Sequence, residues 1–324
     1  MLASISKHFF HLLARSATLQ RVASRVGMRK PTSFARRFIA GETLEDAIAA
    51  ARAVQQRGLL LTLDHLGENV TNLAEAEAAT RDYFEIVDTV LRSGIDRNIS
   101  LKLTGLGLDV DRTRAVDNLR RILERTEPAG FFVRLDMESS RYTQATLEIV
   151  DTLWRDGHRA LGVVLQAALR RSEQDLRQLN ALGVRVRLVK GAYTEARAIA
   201  YQRKAEVDAA FERMMTVLIT AGHYPAIATH DHVMIDRTRR WAAEQGVTPD
   251  RFEFQMLYGV RRDLQSRLQA DGYRVRVYLP FGRQWFPYFM RRLGERPANL
   301  LFVIRSLLRE DHSGLRKKPA RTEN

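Results

Sequence analysis

The chain contains no cysteine, and it has no run of about 18 or more apolar residues, the length that spans a bilayer. Without cysteine there is no disulfide, thiolate nucleophile, cysteine-bound zinc or iron–sulfur cluster. This absence predicts a reducing compartment, and the lack of a long apolar run predicts that nothing in the sequence crosses a membrane. We therefore expect a cytoplasmic location, with peripheral contact at the inner face of the membrane as the alternative.

Acidic residues are scarce at the start of the chain, where the first one is Glu42. Over all 324 residues the formal net charge is +14 and the pI is about 10.4. Such a surface attracts anions, whether nucleic acid, acidic lipid or an acidic substrate. The arginine-rich composition that a GC-rich genome produces explains the same charge, so the charge alone does not identify a partner.

Residues 1–45 combine basic and apolar side chains, and we interpret them as a helical arm. A targeting peptide, a membrane-surface helix and a docking helix are open alternatives. A structural helix packed on the main domain is the favoured interpretation. The basic and apolar residues concerned are Lys7, Phe9, Phe10, Leu12, Leu13, Arg15, Arg21, Arg25, Arg29, Lys30, Arg36 and Arg37.

From about residue 58 onward, short apolar runs alternate with longer segments of helical periodicity. This alternation is typical of βα units around a parallel sheet. Eight strands are predicted at intervals of about 31 residues, the length that a βα unit needs. They are LLLTL before Asp64, ISLKL with Lys102, FFVRL before Asp136, GVVL before Gln166, VRVRLV before Lys190, AIAT before His230, FEFQ with Gln255, and VRVYL with Tyr278.

Eight such units predict an α/β fold, a closed (β/α)8 TIM-like barrel with an N-terminal helical arm. The barrel domain is expected over 46–310, and a disordered basic tail over 311–324. Glycines such as Gly94 and Gly183 follow the predicted helices, where a C-terminal stop is expected. The helices are predicted over 73–93, 112–126, 141–156, 172–182, 195–221, 233–245 and 260–271.

Polar residues end nearly every predicted strand. In barrels of this kind the carboxyl ends of the strands surround the active site, so these residues are expected to converge on one mouth. A single polar residue can simply lead a strand into a loop, but its recurrence favours a site. The residues are Asp64, Lys102, Asp136, Gln166, Arg187, Lys190, His230 and Tyr278.

The stretch YFMRRLGE places Tyr288, Arg291, Arg292 and Glu295 on one face of a predicted helix. Two adjacent guanidinium groups beside a tyrosine suit a carboxylate, because each arginine offers a planar fork of donors. Pro287 suits the first turn of the same helix. The stretch therefore predicts a carboxylate clamp, with a solvated basic face as the alternative in so arginine-rich a chain.

Three other motifs carry less information. RVRLVKGAYTE begins as a strand and reaches a glycine before a helix, so its backbone N–H groups suit a phosphate, and a plain βα turn is the alternative. TGLGLDV lacks the third glycine of the dinucleotide fingerprint. His230 and His232 suit a metal pair, but alternate strand residues point to opposite faces. We therefore expect no metal, and a hydrogen-bonding or stacking role for His230.

Set in order, these segments resemble the proline dehydrogenase family, including the catalytic domain of its longer bifunctional members. The matching stretches cover nearly all of residues 60–308, in the order of the family. They are LGENV at 66–70, SLKLTGLG at 100–107, FFVRLDME at 131–138, VVLQAALRR at 163–171, VRLVKGAYTE at 186–195, IATHD at 227–231, FEFQMLYG at 252–259, VRVYLPFG at 275–282 and YFMRRLGERPAN at 288–299.

This resemblance implies a distorted barrel with bound FAD that oxidises L-proline to 1-pyrroline-5-carboxylate, the first step of proline catabolism. Electrons would pass to a membrane quinone, and the basic surface would suit contact with anionic lipid. Glu68 would pair with an arginine and help to close the mouth. The residues implied for substrate binding are Lys102, Tyr278, Tyr288, Arg291, Arg292 and Glu68.

The resemblance also implies the residues around the flavin. Asp136 and Arg187, implied as catalytic, would flank the isoalloxazine, and a positive group there would stabilise negative charge on the reduced ring. The residues implied to contact the flavin, its pyrophosphate or its adenosine are Met137, Gln166, Lys190, Gly191, Ala192, Tyr193, Thr229 and His230.

The chain departs from the family pattern at two places. The usual LQAYL reads LQAAL, which puts Ala168 where a tyrosine is common, and Thr194 follows KGAY where some members have an aromatic residue. We expect changed adenine packing and unchanged catalysis. Tyr278, which in the family is associated with proline over its 4-hydroxylated form, favours proline as the substrate.

Alternative functions remain open at this point. Another flavin barrel oxidoreductase, of the 4-hydroxyproline dehydrogenase or folate reductase type, would share the fold. A basic nucleic-acid-binding protein would share the charge. We expect no specific nucleic-acid partner, because no segment corresponds to the separate DNA-binding domain of some longer relatives.

Overall fold

The computed structural model describes residues 34–295. Most of the predicted arm and all of the predicted tail lie outside these residues, so the division at 45/46 and 310/311 stays a prediction. Within the described range, eight parallel strands form a closed barrel in sequence order. They are β1 Leu60–His65, β2 Asn98–Leu101, β3 Phe132–Leu135, β4 Leu161–Gln166, β5 Arg185–Val189, β6 Ala226–Ala228, β7 Glu253–Leu257 and β8 Val275–Phe281.

The barrel closes where β1 lies beside β8. Leu60 pairs with Arg276 and His65 pairs with Phe281, in unbroken parallel register. The predicted α/β fold with a (β/α)8 TIM-like barrel is therefore confirmed. Because every strand runs in the same direction, all eight carboxyl ends open at one mouth.

Helices follow the strands around the outside of the barrel. The predictions for 73–93, 112–126 and 172–182 agree with the structure to the residue. In the described part of the chain the α-helices are α1 Leu44–Gln55, α2 Leu73–Ser93, α3 Arg112–Thr126, α4 Ser140–Arg155, α5 Ser172–Leu182, α6 Lys204–Ala221, α7 His232–Glu244, α8 Arg262–Ala270 and α9 Trp285–Glu295.

Two helices differ from the sequence-based expectation. The prediction of a helix from residue 195 was wrong at its start, since α6 begins at Lys204. The segment before it pairs instead with the loop after β4, where the Tyr201 N–H donates to the Ala168 carbonyl at 2.8 Å. Helix α1 was not predicted, and it crosses the expected boundary at 45/46. No helix within residues 34–295 is both long and apolar enough to cross a membrane.

The two ends of α2 are set by local signals that are visible in the sequence. Asn72 caps the first turn, where its side chain accepts the Glu75 N–H at 2.9 Å. Gly94 ends the helix in the left-handed region, at φ +71°. Only glycine enters that region without strain, so the glycine stop read from the sequence is a real backbone requirement.

Two apolar clusters stabilise the molecule. The larger one fills the barrel and the layer between strands and helices. The smaller one joins Phe38 and Ile39 of the N-terminal segment to Trp285 and Phe289 of α9. Burial of each such side chain contributes roughly 1.5–3 kcal/mol, and Trp285 also donates to Glu42 Oε1 at 2.7 Å. The smaller cluster therefore fixes α9 beside the barrel mouth.

Candidate active site

Lys102, which follows β2, lies between two aspartates at the barrel mouth. Its Nζ donates to Asp64 Oδ1 at 3.1 Å and lies 3.5 Å from Asp136 Oδ2. All three side chains are largely withdrawn from solvent, with Asp64 fully buried. Charges that lack water interact strongly, so these groups form one coupled unit.

Asp136, which follows β3, collects donors from three other strands. Its Oδ1 accepts from Arg187 Nη1 at 2.8 Å and from the Ser100 hydroxyl at 3.2 Å. Its Oδ2 accepts from the Tyr278 hydroxyl at 2.7 Å. The Arg187 guanidinium also lies over the Tyr278 ring, 5.4 Å from its centroid. The structure therefore brings Lys102, Asp136, Arg187 and Tyr278 into direct contact.

The charges in this cluster shift one another's pKa. Burial alone would raise the pKa of Asp136, but Lys102 and Arg187 outweigh it and lower that pKa. Asp64 behaves differently, because burial outweighs Lys102 and raises its pKa. The two carboxylates overcome burial at Lys102 and raise its pKa well above the ordinary value. At neutral pH the cluster thus contains a firmly ionised Lys102 and a firmly ionised Asp136.

A second ion pair lies over the mouth. Arg291 of α9 donates from Nη1 to Glu68 Oε1 at 2.7 Å, and both side chains are about four-fifths buried. Arg291 outweighs the burial of Glu68 and lowers the pKa of that carboxyl. The pairing of Glu68 with an arginine, which the family resemblance implies, is present in the structure.

The other residues implied around the substrate lie on or near α9. Tyr288 is buried, and the Arg292 guanidinium lies 5.4 Å from the centroid of its ring. Tyr193, which the resemblance implies as a flavin contact, lies close enough to the Glu68–Arg291 ion pair for its pKa to respond to both charges. Burial, with a further contribution from Glu68, raises the pKa of Tyr193 to about 12. It is therefore neutral at physiological pH.

Lys190 and Gly191 follow β5. Lys190 Nζ donates to Asp208 Oδ1 at 2.5 Å and to Asp231 Oδ2 at 2.7 Å. Gly191 has a φ of +116°, and a Cβ there would lie 3.1 Å from Ala168 Cβ. A side chain would be strained at this position, and glycine leaves the backbone accessible to close approach by a ligand. Gly191 and Ala192 are exposed.

The remaining residues implied for the cofactor surround the same end of the barrel. Gln166 donates to the Glu138 carbonyl at 2.8 Å, and Met137 is buried in the main core. Thr229 Oγ1 accepts the Asp231 N–H at 3.1 Å. His230 Nε2 accepts the Leu257 N–H at 2.9 Å, which orients the ring against β7.

Several residues that build this site had no role in the sequence analysis. Asp64 was expected at the mouth as a strand end but was assigned no contact there, and Ser100 and Glu138 were not singled out. Glu138 belongs to the FFVRLDME stretch, so its two-residue spacing from Asp136 was the available signal. Asp208 lies in the first turns of α6. The sequence gives no signal that distinguishes it from an acidic residue on an exposed helix surface.

A closed parallel barrel with a buried, charged cluster at its mouth defines a β/α-barrel enzyme. The sequence model described as "Proline dehydrogenase" matches residues 47–305 of the chain. The chain belongs to this family. Proline dehydrogenase 2 of Bacillus subtilis is 39% identical over 306 residues, which cover 94% of this chain and 100% of the relative. The proline dehydrogenase of Deinococcus radiodurans is 41% identical over 285 residues, 87% of this chain and 92% of the relative.

Solved structures give the same result for the fold. Proline utilization A (PutA) from Bdellovibrio bacteriovorus superposes with a TM-score of 0.75 at 27% identity, over 80% of this chain and 32% of that chain. The chain thus spans about a third of the length of that protein. Family membership makes the chain an oxidoreductase that acts on proline in the first step of its catabolism, with a flavin cofactor.

Proposed function

We propose that the chain catalyses the FAD-dependent oxidation of L-proline to 1-pyrroline-5-carboxylate and passes the electrons to a quinone. The observation that carries this proposal is the convergence of two charged units on one mouth. Asp136 holds Lys102, Arg187 and Tyr278 together, and Arg291 on α9 lies above them in an ion pair with Glu68. A small amphoteric substrate fits between such groups.

The residues present fit a bound FAD. Arg187 Nε is buried and has no hydrogen-bond partner among the described residues. Its N–H is therefore available to donate a hydrogen bond to a bound ligand. The backbone at Gly191 is bare of side chain, and Lys190 lies beside it. Glycine backbone and a cation after a strand suit a pyrophosphate.

The proposed cofactor contacts are those that the resemblance implies. Asp136 and Arg187 would flank the isoalloxazine, and the bound flavin supplies the two-electron acceptor that amine oxidation needs. Arg187 would hold a fixed positive charge where negative charge develops, and Asp136 keeps its guanidinium in place. The residues that would contact the rest of the cofactor are Met137, Gln166, Lys190, Gly191, Ala192, Tyr193, Thr229 and His230.

The proposed substrate contacts follow from charge. Arg291 and Arg292 would bind the proline carboxylate through charge-assisted hydrogen bonds. Lys102, Tyr278 and Tyr288 would complete the pocket around the ring. The pair of Glu68 with Arg291 would cover the bound substrate and exclude water.

Replacement of Arg291 tests the clamp. A charge-assisted hydrogen bond is worth about 1.5–3 kcal/mol, so Arg291→Ala should raise KM for L-proline about 10- to 100-fold. Arg120→Ala is the matched control, because Arg120 forms surface ion pairs with Asp117 and Asp156. Steady-state kinetics that leave both variants with the KM of the unchanged chain would rule the clamp out.

The rim of the mouth supports a peripheral membrane contact, where a quinone would be reached. Arg37, Arg262 and Arg283 are exposed there, and basic residues attract anionic lipid. Exposed apolar side chains lie on the same rim, at the N-terminal ends of helices or in the loops that lead to them. They are Leu73, Val110, Ile199 and Val233.

Vesicle binding tests this contact. Replacing the three rim arginines, Arg37, Arg262 and Arg283, by glutamine should reduce co-sedimentation with anionic vesicles. The matched control replaces three exposed arginines at the other end of the barrel and removes the same charge. These residues are Arg92, Arg155 and Arg251. Equal losses for the two triple variants would show that net charge alone drives binding, and would contradict a docking face at the mouth.

A further inference from the structure

Glu138 is a buried carboxylate that the proposed reaction does not use. It follows β3, two residues after Asp136, and is 5% exposed. Its Oε2 accepts from the Thr104 hydroxyl at 2.7 Å, and its Oε1 accepts the Thr104 N–H at 3.2 Å. Burial raises the pKa of Glu138 to about 7, against the lowering effect of these hydrogen bonds. Both oxygens of the Glu138 side chain thus accept hydrogen bonds from the same residue, Thr104.

Thr104 in turn holds residues 66–70, which we call the Glu68 loop. The Asn69 N–H donates to Thr104 Oγ1 at 3.2 Å, and the Val70 N–H donates to the Thr104 carbonyl at 3.3 Å. Glu68 comes directly before these two residues. A continuous series of hydrogen bonds therefore runs from Glu138 through Thr104 to the loop that carries Glu68.

The backbone confirms that the Glu68 loop is tightly held. Asn69 has a φ of +59°, in the left-handed region, which asparagine tolerates better than most residues other than glycine. A Cβ at Gly105 would lie 2.7 Å from the Gly67 carbonyl oxygen, closer than any real contact. The loop therefore lies in close backbone contact with the turn that contains Thr104.

We propose that Glu138 and Thr104 are positioning residues that hold the Glu68 loop where Glu68 can pair with Arg291 over the mouth. This inference rests on the proposed role of that ion pair in substrate binding. Neither residue touches the substrate. Glu138 fixes the Thr104 hydroxyl as an acceptor for the loop, and the loop then presents a correctly placed carboxylate to α9.

Hydrogen exchange on the unchanged chain is the first test, and it needs no substrate. The Asn69 and Val70 amides should exchange far more slowly than those of an unstructured peptide, since both are engaged by Thr104. Exchange at the rate of an unstructured peptide would overturn the proposal. Because this measurement uses the unchanged chain, it tests the proposal even if a variant fails to fold.

Thr104→Val removes the hydroxyl and keeps the side-chain shape. Of the two hydrogen bonds that this hydroxyl makes, the one from the Asn69 N–H is worth about 1 kcal/mol, so its loss should speed exchange of the Asn69 amide roughly fivefold, at about 1.4 kcal/mol for each tenfold. KM for L-proline should rise by a similar factor, with a smaller change in kcat. Thr104→Ser retains the hydroxyl and should restore both values.

A double-mutant cycle shows whether Thr104 acts through Glu68. In a Glu68→Ala chain, Thr104→Val should leave KM where Glu68→Ala has already placed it. Independent, additive effects would overturn the proposal. A chain with protected Asn69 and Val70 amides that does not oxidise proline would instead contradict the proposed function, so the two failures are distinguishable.

Discussion

At the residue scale, the site depends on Lys102, which lies between Asp64 and Asp136 and balances two carboxylates that are withdrawn from solvent. The pattern of strand ends predicted that all three would lie at the mouth, and the structure places them there. The pattern could not predict that Asp64 and Asp136 share one ammonium group, because the distance between side chains on β1, β2 and β3 depends on their register. Asp64 was therefore expected at the mouth but assigned no contact, although it is the more deeply buried of the two aspartates.

Glu138 gives a prediction for stability against pH. Burial raises its pKa from near 4.5 to about 7 in the folded chain. The folded state then binds the proton more tightly than the unfolded state, so this contribution to stability is fully present below about pH 4.5 and is lost as the pH rises through 7. Ionised Glu138 should cost about 2–3 kcal/mol at pH 8 relative to pH 5, at about 1.4 kcal/mol per unit of pKa.

The variant Glu138→Gln removes this titration. Its free energy of unfolding, relative to that of the unchanged chain, should therefore increase between pH 5 and pH 8. Urea unfolding of both proteins at several pH values measures the difference. A constant difference over that range would show that Glu138 keeps an ordinary pKa.

At the element scale, the barrel was predictable because each strand and helix carries its own local signal. Asn72 and Gly94 bound α2 as the sequence indicates, and the apolar runs bound the strands. The start of α6 was missed because residues 195–203 have helical composition, while their backbone pairs with the loop after β4. That pairing is a tertiary contact, and local propensity carries no information about it.

Gly191 gives a prediction at this scale, for the turn after β5. A Cβ there would meet Ala168 Cβ at 3.1 Å and Gln166 Oε1 at 3.2 Å, on a backbone with φ +116°. Strain of about 1–3 kcal/mol is expected, and it would displace backbone proposed to bind FAD. Gly191→Ala should therefore raise the Kd for FAD about tenfold, as measured by fluorescence titration of the apoprotein.

Gly94→Ala is the control for Gly191→Ala. Gly94 has φ +71° and no atoms within 4 Å of a Cβ, at the far end of α2. Its replacement should cost about 1–2 kcal/mol of stability through the left-handed backbone alone, without a change in the Kd for FAD. An equal Kd for both variants and the unchanged chain would remove Gly191 from the cofactor site.

At the scale of the whole molecule, the site depends on contacts between distant parts of the chain. Glu68 and Arg291 are 223 residues apart in sequence and 2.7 Å apart in space. Closure of β1 on β8 brings the Glu68 loop near α9, and the small apolar cluster with Trp285 holds α9 in place. The family resemblance implied that Glu68 pairs with an arginine without naming which one, and the closed barrel explains why that arginine is Arg291.

An anaerobic titration of the purified protein with L-proline shows whether the chain holds a flavin that L-proline reduces. The protein should be yellow, and L-proline should bleach its visible flavin absorption. Arg291→Ala should require a much higher proline concentration for the same bleaching. A protein that takes up no flavin, or a flavin that L-proline leaves oxidised while reduced nicotinamide bleaches it, would contradict the proposed function.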